Sequence, residues 1–133
     1  MITLKEATLY LPYKVKMKIS YQGKEKIDTL DIRKSAYLLE NIDKWEFKLI
    51  LRPLPDLNKE IEIEGEKIIP GEVLSEMIDE EHMGYNDHYF DYEKNKYIIE
   101  DPRFEPYFIV QQLLEWHFWI GDQSRFGQDI ILK

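Results

Sequence analysis

The sequence of 133 residues predicts an α+β fold in one domain: an antiparallel sheet with one or two helices packed on one face, including a long buried C-terminal helix. Three observations carry this. Period-two alternation of apolar and polar residues recurs in short runs, while helical periodicity is confined to two stretches. Turn residues part the runs by a few positions without strand–helix–strand alternation, which favours antiparallel pairing. The composition, 44% hydrophobic and 14% aromatic, supplies one ordinary core and is not that of a disordered chain.

Residues 14–21 give the clearest strand. Val15, Met17, Ile19 and Tyr21 share one face, and Lys14, Lys16 and Lys18 share the other. Gln22-Gly23-Lys24 is a turn signal, and Ile27, Thr29, Leu30 and Ile32 suit a returning strand. Residues 35–41 read as a helical turn or connector. Trp45, Phe47, Leu49 and Leu51 then define a third alternating run, which Pro53 and Pro55 end because neither can donate to a ladder. Ile61 and Ile63 alternate with glutamates, and Gly65 turns the chain into Lys67-Ile68-Ile69 as a hairpin with its acidic side outward.

Pro70 suits the first turn of a helix, and Val73, Leu74, Met77 and Ile78 form its stripe to about Glu81. Between His82 and Asp101 the pattern dissolves into Tyr, Asn, Asp and His, with a hairpin centred on residues 93–96. Pro102 or Pro106 opens the strongest helix. It is expected to reach Ile120, with Gly121 as its terminating residue and apolar stripes of Ile109, Leu113, Trp116 and Ile120 and of Tyr107, Val110, Leu114 and His117. The tail suits a short terminal strand. No internal repeat or domain boundary is visible.

The formal charge of −8 is unevenly laid out. Residues 1–55 carry 11 basic against 7 acidic side chains, residues 56–106 carry 5 against 16, and residues 107–133 carry 2 against 3. The acidity is one central block of −11, of the kind that forms a solvated face. Absence of cysteine removes disulfide scaffolds, thiolate nucleophiles and cysteine-ligated metal centres. The longest apolar stretch, residues 107–120, is too short and too polar to span a membrane, and the first residues lack a leader's basic and apolar regions. A soluble intracellular protein is expected.

Transition-metal or nucleophile-activating chemistry would therefore rest on three histidines. His82 and His88 lie near Asp87 and Asp91. A helix there would let His88 and Asp91 converge, with His82 brought in across Gly84, whereas a strand would separate His88 from Asp91. The spacing matches no zinc signature. His117 stands two residues from Glu115, about 200° around a helix, so the pair cannot serve one ligand. Ser35, Ser75 and Ser124 lack a nucleophile elbow, and the glycines are scattered singly, without a phosphate loop. No cofactor is called for. Lys14, Lys16 and Lys18 with Tyr10, Tyr13 and Tyr21 could meet phosphate and bases, but a sequence pI of 4.9 argues against nucleic acid, and edge-strand protection explains the lysines equally.

Three blocks, Tyr10-Leu11-Pro12-Tyr13 followed by the alternating strand, residues 48–61 (KLILRPLPDLNKEI) and Leu113-Leu114-Glu115-Trp116-His117-Phe118, together resemble a family of small uncharacterised proteins of phages and prophages of gut-associated anaerobic bacteria. The resemblance implies a phage origin and a bacterial cytoplasmic location, and supplies no catalytic residue; the stretch from Phe118 to Phe126 departs from the family's pattern. Within the middle block, Arg52 and Asp56 are expected to pair across a turn stiffened by two prolines. Trp116, His117 and Trp119 are candidate contact residues, since Trp119 exposed beside Phe118 would mark a protein interface.

The leading expectation is a non-enzymatic accessory protein that contacts a phage or host protein through an aromatic or acidic surface. A metal-dependent hydrolase or nuclease using His82, His88 and Asp91 is the first alternative. An acidic DNA mimic or host-directed inhibitor is the second, with Glu60, Glu62, Glu64 and Glu66 as its surface.

Overall fold

The alternation at the N-terminal end becomes a sheet. The computed structural model describes residues 2–31, 33, 46–77, 88–91, 93, 96–99, 101–102, 105 and 107–133, with the backbone alone for Leu4 and residues 88–91. The expectations for Ile32, residues 35–41, Trp45, residues 78–81 and the stretch from His82 to Asp87 lie outside the described residues. The chain forms two compact units, one of residues 1–52 with 122–133, the other of residues 53–121.

In the first unit, Thr3 caps α1 (Leu4–Thr8) through a capping box: its hydroxyl accepts from the Glu6 N–H at 3.2 Å, and its own N–H donates to Glu6 Oε1 at 3.0 Å. Strands β1 (Lys16–Tyr21) and β2 (Lys24–Thr29) pair antiparallel with Tyr21 opposite Lys24. Gln22 and Gly23 both have positive φ, 48° and 79°, the type I′ geometry whose twist matches the strands it joins. Strand β3 (Glu46–Leu51) lies on the other side of β1, and β8 (Ile130–Leu132) joins β3 in parallel, giving the order β2-β1-β3-β8. The sheet is thus mixed, where a purely antiparallel one was expected. A parallel partner becomes available because β8 returns from a distant part of the chain and needs no hairpin.

Val15, Met17, Phe47, Leu49, Leu51 and Ile130 are buried on one face of this sheet, with Ile2, Ala7, Tyr10 and Leu30 also buried. Each large apolar side chain there contributes about 1.5–3 kcal/mol of transfer free energy. The opposite face carries Lys16, Lys18 and Lys48. Lys18 and Lys48 stand directly opposite each other, and Glu25, 3.1 Å from Lys18, and Glu46, 3.8 Å from Lys48, offset the repulsion.

The second unit joins two hairpins to two helices. Strand β4 (Ile61–Ile63) pairs β5 (Glu66–Ile68) across Glu64 and Gly65, again both at positive φ. Helix α2 (Pro70–Met77) follows, and β6 (His88–Asp91) pairs β7 (Lys96–Ile99) antiparallel. Leu54, Leu57, Leu74, Ile99, Ile109, Leu113, Trp116 and Phe118 form the core, with Ile61, Ile63, Ile68 and Val73 packed against it. The α+β class stands. The long C-terminal helix does not: α3 spans Tyr107–Glu115 only, and Tyr107 at its start is 79% exposed.

Candidate functional site

What shortens α3 is the residue expected to act as a contact. His117 adopts the left-handed conformation, φ 65°, in which a non-glycine residue ends a helix. Its N–H donates to the Leu114 carbonyl at 2.9 Å, and the Phe118 N–H reaches back to the Leu113 carbonyl at 2.9 Å. These are the two hydrogen bonds of a Schellman cap, and its accompanying apolar contact falls between residues of one core, Leu113 and Phe118, both fully buried. Gly121 is therefore not the terminating residue. It lies beside Trp119, whose indole leaves no room for a Cβ there.

Reversal of the chain at His117 sends the aromatic run inward. Trp116 is 6% exposed, Phe118 is fully buried and Trp119 is 2% exposed, so the exposed Trp119 that would mark an interface is absent. His117 itself is half-buried.

The middle block folds as a 3-10 turn, residues 54–58, opened by Pro53. Asp56 pairs with Lys59, three residues on, at 3.1 Å, in place of the expected partner Arg52. Arg52 follows β3, and both it and Lys16 lie close enough to Lys133 to act on its charge. Burial first, then the charges of Arg52 and Lys16, holds the Lys133 ammonium below its ordinary value. Tyr10, which with Tyr13 and Tyr21 could have stacked on bases beside Lys14, Lys16 and Lys18, is fully buried.

Residues 88–91 form a strand, so the helical convergence of His88 with Asp91 does not arise, and His82 lies outside the described residues. Among the described residues no group of three or more His, Asp or Glu side chains is placed to hold a metal ion. No described helix is long and apolar enough to cross a membrane.

A charged network that sequence reasoning missed sits in the first unit. Arg125 Nε donates to both Asp129 carboxylate oxygens, at 3.1 and 3.2 Å, and its terminal nitrogens reach Glu6 and Asp129. The hydrogen bonds from Arg125 hold the buried Asp129 carboxyl down to about 2. Burial pushes Glu6 up, but hydrogen bonds from Arg125 and Thr3 outweigh it and leave Glu6 below the usual carboxylate range. Arg125 is correspondingly raised by its bonds to Asp129 and Glu6. The arrangement ties α1 to the segment before β8 and is structural.

Two surfaces of the second unit could meet another molecule. The first is the hairpin β4–β5. Its isoleucines face the core, while Glu60, Glu62, Glu64 and Glu66 are all exposed. Lys67 stands opposite Glu62 and lies 3.9 Å from Glu60.

The second is a pocket of about 410 Å³ between the 3-10 turn and β7, lined by Leu54, Pro55, Asn58, Lys59 and residues 96–99. Asn58 forms the clasp between its walls: the side-chain amide donates to the Tyr97 carbonyl at 3.0 Å, and its oxygen accepts from the Tyr97 N–H at 2.7 Å. The side chain thus stands where a neighbouring strand would. Nothing local in the sequence links residue 58 to residue 97; the one available signal was an Asn placed inside a proline-stiffened turn. No family model, no curated protein and no solved structure matches the chain.

Proposed function

We propose that this chain is a phage-related accessory protein without catalytic activity, acting in the bacterial cytoplasm by docking on a basic protein surface through the hairpin β4–β5. The observation that supports this reading is the hairpin's construction. A type I′ turn and an isoleucine face packed on the core fix the arm; of its four exposed glutamates, Glu60 and Glu62 lie on the outer side, Glu64 in the turn, and Glu66 opposite Ile63 at the tip. Residues alternating on a strand recur about every 6.5 Å, so Glu60 and Glu62 present carboxylates at a set spacing rather than as a loose tail.

Charge at the scale of the unit points the same way. Residues 53–121 hold 5 basic and 17 acidic side chains, a net −12, which would steer a basic partner toward this surface. The resemblance of the three sequence blocks to phage and prophage proteins supports the accessory role.

The test is capture from bacterial lysate with the intact protein and with Glu60→Gln/Glu62→Gln/Glu64→Gln/Glu66→Gln, at about 50 and about 500 mM salt. One basic protein retained at low salt, released at high salt and lost by the variant is the expected result. A partner held equally by both proteins would overturn the assignment to this hairpin. Release of the partner by added DNA would identify the surface as a mimic of the phosphate backbone.

A further inference from the structure

The pocket beside β7 departs from the electrostatics of its own unit. Of the five basic residues among residues 53–121, two, Lys59 and Lys96, stand on its rim, although the unit carries 17 carboxylates. Lys59 is tethered by Asp56, which fixes the direction of its stem, and Lys96 is exposed at the start of β7, opposite Asp91 in the strand register. Below them the walls are apolar: Leu54 and Ile99 are buried, Ile98 and Tyr97 half-buried, and Pro55 closes one side. A volume of about 410 Å³ falls in the range of small-molecule sites.

The clasp decides the class of occupant. An extended peptide would bind β7 by adding a strand to its free side, but Asn58 already takes both the N–H and the carbonyl of Tyr97 there. Recognition is left to side chains, which offer apolar contact at the bottom and ammonium groups at the mouth. From this juxtaposition we propose that the pocket binds a carboxylate carried on an aromatic or branched apolar body, with the body against Leu54, Pro55 and Ile99 and the carboxylate between Lys59 and Lys96. A free organic acid and the terminal residue of a peptide share that chemistry. This site is independent of the acidic hairpin, so either reading can fail without the other.

The experiment is an amide-resolved NMR titration of the intact protein with phenylacetate and with its neutral isostere phenylacetamide. Saturable shifts confined to residues 54–59 and 96–99, with phenylacetamide at least about tenfold weaker, are expected, because a charge-assisted hydrogen bond is worth about a factor of ten. Lys59→Gln and Lys96→Gln should each weaken phenylacetate by about three- to tenfold. Both lysines are exposed, so the variants keep the fold, which unchanged amide dispersion will verify; Lys67→Gln, outside the pocket, should bind as the unaltered protein does.

Equal binding of the amide, shifts centred elsewhere, no saturation up to about 10 mM, or indifference to both substitutions would overturn the proposal. A second arm compares a tetrapeptide ending in phenylalanine as the free acid and as the amide. Binding of the free-acid peptide supports a site that reads chain ends, and rejection of both peptides alongside phenylacetate binding supports a small-molecule site.

Discussion

A histidine held at φ 65° turns the chain through its backbone, whatever its ring contributes. Left-handed backbone costs an L-residue about 1–2 kcal/mol and a β-branched one more, while glycine adopts it freely. His117→Val is therefore expected to lower the stability measured by urea unfolding by about 2 kcal/mol, with His117→Gly staying within about 1 kcal/mol of the parent. Equal losses from both would show that the ring's contacts and not the cap dominate.

Arg125 is the other residue on which much rests. Asp129, held down to about 2, binds fewer protons in the folded than in the unfolded chain as pH falls below the ordinary carboxylate value. Its stabilisation is fully present above about pH 4 and is lost as pH falls through about 2, amounting to about 2 kcal/mol, with Glu6 shifted in the same direction. Arg125→Met should flatten that acid limb and cost about 2–3 kcal/mol at neutral pH, because two carboxylates lose their common partner. Denaturation followed from pH 7 to pH 2 in both proteins measures both effects.

At the scale of elements, what was legible was whatever a short window contains. Alternation identified β1 and β3, and Gly23 and Gly65 marked two hairpins whose turns follow from positive φ. Pro70 marked the start of α2 and residues 93–96 the third hairpin. The Thr3-to-Glu6 spacing was a capping box in plain view, and α1 went unread only because five residues show too little periodicity. Helix α3 misled for the opposite reason: its apolar period continues past Glu115 although the helix does not. Trp116, Phe118 and Trp119 are core residues reached by a cap that a histidine supplies, and the expected signal for a cap was glycine.

Packing between elements was invisible to the window, and Gly71 shows why it matters. A Cβ at this position would stand 2.5–2.7 Å from the ring and Cβ of Tyr97, so α2 approaches β7 as closely as it does only because residue 71 has no side chain. Gly71→Ala gains helix propensity yet should destabilise by about 1–3 kcal/mol, since the strand backbone would have to move. It should also disturb the Tyr97 amide clasped by Asn58, which hydrogen exchange at that amide will report. Unchanged protection would show that the strand shifts without releasing the clasp.

At the scale of the whole chain, the uneven charge seen along the sequence follows the division into units. Residues 1–52 with 122–133 carry 13 basic and 9 acidic side chains, a net +4, against −12 for residues 53–121. Repulsion within the acidic unit predicts that raising NaCl from about 10 to about 150 mM, which shortens the screening length from about 30 to about 8 Å, raises the melting temperature by about 3 °C. A calorimetric scan without that rise would mean that lysines such as Lys59 and Lys67 already compensate their neighbours locally.

The parallel pairing of β8 with β3 also sets an order for synthesis. Residues 53–121 leave the ribosome as one uninterrupted stretch and can assemble their core as they appear. The sheet that begins with β1 must wait for residues 130–132, and Arg125 bridges Glu6 and Asp129 only after residues 122–129 have been made. Until that moment the edge of β3 that β8 will cover is open to pairing with another chain, a hazard that ends once residues 130–132 have docked.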